Sequence, residues 1–211
     1  MPMFSRRKAA KGAAQKVMSE AGWSQKHEWR VPRDGAAPLY FSLRIPDQTR
    51  LLDVSELAAQ VGDRIPQGMR SGVSALDQME GEPGTICSGA IVHEDNPEIV
   101  MVVLTVGLAL GVRGLPDVDE LAVSTAGEEV QRFVTPISEK AVLLDRVTML
   151  ALKPGEDPSP MMLHQYLMET RYGALSFAFT STNRAMFSEN GRRMMSEISQ
   201  TGWLGETDDI V

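Results

Sequence analysis

Apolar and polar positions alternate strictly over residues 37–46, "APLYFSLRIP": Leu39, Phe41, Leu43 and Ile45 fall on one face, Tyr40, Ser42 and Arg44 on the other. That period of two predicts a half-buried strand, and Pro46 closes it. In "LLDVSELAAQV" the spacing changes to helical, with Leu52, Leu57, Ala58 and Val61 on one face and Asp53 or Ser55 as cap. Residues 62–84 are rich in glycine and proline and read as loop, with a short turn at "SALDQM". Two strand patterns follow, at 85–94 and 98–110, and the Asp95–Asn96–Pro97 link makes them a hairpin. The second is apolar on both faces, which predicts a central strand covered on both sides. A helix is expected over 117–126. Four further strands are expected at 129–137, 140–152, 160–170 and 174–182, with links short enough to force antiparallel neighbours. The last pattern runs from about Arg184 to Thr201 and is helical, with Phe187, Met194, Met195 and Ile198 in one stripe. Asn183 is its expected cap, and Gly191 sits unfavourably inside it.

The pattern therefore predicts an α+β fold: one antiparallel sheet of about six or seven strands sandwiched between helices. The expected organisation is a basic N-terminal extension over 1–36, a single domain over 37–204 and an acidic tail over 205–211. The chain has 211 residues, enough for such a domain to bury a core without metal or disulfide staples.

Composition narrows the class. The formal net charge of −7 argues against nucleic acid as the partner, because phosphate binding needs a basic field. A lone cysteine, Cys87, forms no intrachain disulfide, and a reducing, cytoplasmic setting is the simpler expectation. The longest apolar run, Ile99–Val112, is shorter than the roughly 20 residues of a membrane helix, so no integral membrane segment is expected. Arg6, Arg7, Lys8, Lys11 and Lys16 make the first residues basic, and a solvated tail or exposed helix is the simpler reading, ahead of an anionic partner or membrane surface.

Candidate chemistry is sparse. The three histidines, His27, His93 and His164, lie in no motif of known mechanics. "HEDNPE" (93–98) gathers His93, Glu94 and Asp95, but strand geometry turns successive side chains to opposite faces, and a solvated hairpin tip is the simpler reading. Cys87 reads as a small buried hydrophobe. His164 shares a strand face with Met162, Tyr166 and Met168, and Arg192 and Arg193 read as part of a solvated helix face. The chain has 13 methionines, and Met161, Met162, Met168, Met194 and Met195 cluster on the late strand and last helix. Met fills cores and also builds adaptable surfaces for apolar partners. Met162, His164, Met168, Met194 and Met195 are accordingly the candidate binding residues, with no catalytic residue, metal site or cofactor expected.

The closing stretch carries a resemblance. Gly173, Leu175, Phe177, Phe179, Thr180 and Thr182, the helix over 184–201 and Trp203 are similar to the terminal strand–helix unit of the PsbP-like superfamily. "LYFSLRIP" is similar to its opening strand. That superfamily includes the Mog nuclear-transport factors, LpqN-type proteins and Eag-type effector chaperones. The resemblance implies an antiparallel sheet between helices over about residues 37–204 and a generally non-enzymatic role. The expected function is a binding or adaptor protein, chaperone-like, that takes a protein or peptide partner on a Met-rich apolar surface, with a homodimer as one option for its assembly. The alternatives are a small hydrolase using His93 or His164, and a structural component of a secretion or phage-like assembly.

Overall fold

The computed structural model describes residues 22–61, 83–114, 129–133, 141–150 and 158–206. The expected N-terminal helix, the 62–82 loop with its turn, the 117–126 helix and most of the acidic tail lie outside these residues. Within them the chain is mostly antiparallel sheet with few helices. Strands β1 (Gln25–Val31), β2 (Leu39–Ile45) and β10 (Trp203–Gly205) form a three-stranded sheet in the order β1-β2-β10. A seven-stranded sheet holds β3 (Thr49–Leu52), β4 (Thr85–His93), β5 (Asn96–Leu110), β6 (Glu129–Phe133), β7 (Ala141–Leu150), β8 (Ser159–Glu169) and β9 (Gly173–Ser181). Its order is β3-β4-β5-β9-β8-β7-β6. The described helices are α1 (Val54–Val61) and α2 (Glu189–Gln200), the latter preceded by a 3-10 turn at Arg184–Phe187.

One expectation is corrected here: there are two sheets, not one, and the 39–45 strand belongs to the smaller. Pro46 ends β2, the chain reverses, and β3 pairs with β4 instead. Strand β2 keeps its predicted alternation and buries Leu39, Phe41, Leu43 and Ile45 completely. It pairs with β1, which lies inside the segment read as an extension; Trp29 faces Phe41 and His27 faces Leu43. Strand β1 escapes the periodicity because three of its four inward positions hold Gln25, His27 and Trp29, and only Val31 is aliphatic. At the other end Gly205 belongs to β10, and Glu206 pairs with Arg33 at 3.0 Å, so the chain is tied to the body past the expected domain end.

The main core lies between the small sheet with α2 and one face of the large sheet. Phe41 meets Phe177 with ring centroids 5.7 Å apart, and Met101, Leu104, Phe179, Met195 and Ile198 complete the layer. On the opposite face a smaller cluster joins Leu52, Leu57, Ala90, Val92 and Val100 under α1. Strand β5 sits centrally between β4 and β9 and contributes to both clusters, Val100 to the smaller and Met101, Val102, Leu104, Val106 and Leu108 to the main core. The meander β6-β7-β8-β9 follows the predicted antiparallel order.

Helix α1 begins with a capping box. Asp53 Oδ1 accepts from the Glu56 amide at 2.7 Å, and Glu56 Oε2 accepts from the Asp53 amide at 3.2 Å. The expected single last helix is split. Asn183 caps the 3-10 turn through Ala185 N at 3.1 Å, then Ser188 caps α2 through Gly191 N at 3.3 Å. Gly191 explains its own presence: a Cβ there would lie 2.3 Å from the Met186 carbonyl oxygen, so only glycine lets the turn pack on the helix. Gly173, with φ +155, opens β9 where a Cβ would strike the Ala109 carbonyl oxygen.

Candidate functional site

Strand periodicity turns the even positions of β8 towards α2, and this places the predicted binding residues in the core. Met162, Met168 and Met195 are fully buried, and Met194 and His164 are 2% exposed. They fill the space between β8 and α2 and present no surface. The Met-lined surface expected at these five positions is therefore corrected: the stripe on the helix and the stripe on the strand face each other.

Among these side chains runs a buried polar chain. Asp145, on β7 opposite His164 on β8, accepts from Arg192 Nε at 2.5 Å. Its Oδ1 lies 3.4 Å from His164 Nδ1, and among the described residues neither atom has another hydrogen-bond partner. His164 Nε2 meets the Tyr166 hydroxyl at 2.7 Å. The ring thus faces the carboxylate with Nδ1 and the phenol with Nε2, and an N–H on Nδ1 would point at Asp145. Burial works to raise the Asp145 pKa, but hydrogen bonding and charge from His164 and Arg192 outweigh it and hold the carboxyl below its ordinary range. The Tyr166 hydroxyl is pushed up to about 12, by burial first and with Asp145 adding, against hydrogen bonds from Ser196 and Ser199. Arg192 thus turns inward to Asp145 and to the Phe187 carbonyl. Only Arg193 keeps the expected helix-face role, 3.9 Å from Glu197.

The remaining candidates separate. At the β4–β5 turn His93 Nδ1 accepts from the Asp95 amide at 3.2 Å, as a hairpin tip would have it. Cys87 is buried and its thiol is raised to about 12 by desolvation, far from the thiolate a nucleophile needs. Among the described residues no three His, Cys, Asp or Glu side chains gather as metal ligands.

The open site was not legible in sequence, because three distant segments build it. Strand β3 pairs with β4 only from Ala90 to His93, then ends at Leu52 as the chain enters α1. The outer edge of β4 from Thr85 to Gly89 is left without a strand partner among the described residues. A cavity of about 370 Å³ lies along that edge. His27 and Trp29 of β1 form one wall, their rings stacked at 6.0 Å, and Leu51, Ile86 and Cys87 contribute apolar surface. Asp53 and Glu56, at the start of α1, bring two carboxylates. Thr85 and Ser88 complete the lining. Desolvation lowers the His27 pKa, which favours a neutral ring at neutral pH. Hydrogen bonds from Glu56 and Ser55 hold the Asp53 carboxyl below its ordinary value. Among the described residues no lysine or arginine lines the cavity.

No protein-family model matches the chain, and no curated protein is similar to it. A crystal structure of a protein from Bacteroides thetaiotaomicron superposes with a TM-score of 0.42 at 12% identity, covering 77% of this chain and 44% of that one. The present chain thus spans less than half the length of that neighbour. Among the described residues no helix is long and apolar enough to cross a membrane.

Proposed function

We propose that this chain is a non-enzymatic binding or adaptor protein, PsbP-like in type and cytoplasmic, that receives an extended segment of a protein partner along the open edge of β4. The observation that carries it is the coincidence of a strand edge without a partner among the described residues and a cleft beside it. An extended peptide finds backbone donors and acceptors on such an edge, and a cleft alongside reads its side chains. The volume lies within the range of ligand clefts, about 300–1,000 Å³. A binding role also suits the ionisable groups. His164 is sealed beneath α2 between Asp145 and Tyr166.

Thr85→Trp would place a ring in the cleft at a half-exposed position and leave the core untouched. A partner isolated from the host is expected to bind the native chain and to lose at least tenfold in affinity for Thr85→Trp, by calorimetry. Equal affinity for both would place recognition elsewhere and overturn the proposal.

A further inference from the structure

Granting that the β4-edge cleft is a peptide site, we infer that it selects a cationic side chain, the lysine or arginine of an extended segment. Trp29 offers an indole on one wall, and Asp53 and Glu56 line the same cleft with carboxylates. An apolar stem ending in an ammonium or guanidinium suits that pair of surfaces: the stem lies on the ring and the charge reaches the acids.

The capping box leaves both carboxylates capacity for this. Asp53 spends Oδ1 on Ser55 and the Glu56 amide, and Glu56 spends Oε2 on the Asp53 amide. Among the described residues no partner meets Asp53 Oδ2 or Glu56 Oε1. The positive end of α1 would favour an anion, but the box already occupies its leading amide. The cations of the flanking strands are turned away. Lys26 pairs with Glu28 at 2.8 Å on the outer face of β1, and Arg50, which alternates with the cleft-lining Leu51, donates to Gln60. With His27 favoured neutral and no lysine or arginine among the described lining residues, the two carboxylates leave the lining of the cleft net negative.

The test uses the full-length chain and a set of extended peptides identical except at the central residue, which is Lys, Arg, Gln or Glu. The key variant is Asp53→Ser with Glu56→Gln, which keeps a capping box of the Ser-x-x-Gln kind and removes both charges. Lys and Arg peptides are expected to bind at least tenfold tighter than the Gln peptide, and Glu weakest. That preference is expected to vanish in the double variant with its thermal midpoint near the native value. Equal binding of Lys and Gln peptides that Thr85→Trp abolishes would overturn the charge selection and leave the cleft standing. Absence of any binding sensitive to Thr85→Trp would overturn both. Propylamine that binds as tightly as the Lys peptide would overturn the peptide as the source of the cation.

Discussion

Asp145 shows how little of a buried network one residue's neighbours in sequence reveal. Its strand reads as apolar, and nothing in "LLDRV" announces that the carboxylate is met by an arginine from another element. His164 was placed on the right face by alternation alone, yet its partners became visible only once β7 and α2 were in position. The consequence is measurable. Removing one member of a buried pair strands the others, at a cost of about 3–5 kcal/mol. Arg192 is partly exposed and recovers some hydration, so Asp145→Ala is expected to lose about 2–4 kcal/mol in urea unfolding. A carboxyl held below its unfolded value contributes stability above that value and loses it as pH falls through the folded one. Native stability is therefore expected to fall below about pH 4, and Asp145→Asn to fall less steeply over the same window. Parallel curves for the two proteins would remove Asp145 from the acid response.

At the scale of elements, period and punctuation carried most of the information. Strands β2, β4, β5 and the late meander follow from alternation and turn residues, and α1 from its cap. Strand β1 was hidden because Gln25, His27 and Trp29 do not look like a core face, although Trp29 packs on Phe41 at 5.8 Å. The break before α2 was hidden because Ser188 and Gly191 are compatible with a continuous helix that is merely weak. Alanine inside a helix normally gains about 1 kcal/mol over glycine. At position 191 the added carbon meets the Met186 backbone, so Gly191→Ala is expected to cost about 1–3 kcal/mol instead. A stabilised variant in thermal melts would mean that the 3-10 turn yields freely.

For the whole molecule, the antiparallel class was legible, but the division into two sheets was not. Hydrophobic pattern says which residues are buried and not which layer buries them; Phe41 and Phe177 each read as core strand residues, yet they come from opposing sheets. Their contact predicts that the sheets unfold together. The three tryptophans, Trp23, Trp29 and Trp203, lie in or beside the small sheet, while far-ultraviolet dichroism is dominated by the large one. The two signals are expected to share one urea midpoint, and Phe177→Ala to lower both by an equivalent of about 3–5 kcal/mol. Separate midpoints would make the small sheet an independent unit.

The placement of β9 between β5 and β8 has a consequence for how the chain reaches this state. Strand β5 can zip onto β4 at once, but its other flank waits for Gly173–Thr180, which arrive only after β6, β7 and β8 have been threaded. Closing such a distant pairing is slow, since chain entropy is lost before contacts repay it. Meanwhile a long apolar strand, "VMVVLTV", shows a bare flank to every other copy in solution. The central strand that anchors the finished sheet is thus the place where a half-folded chain is most exposed to its own kind.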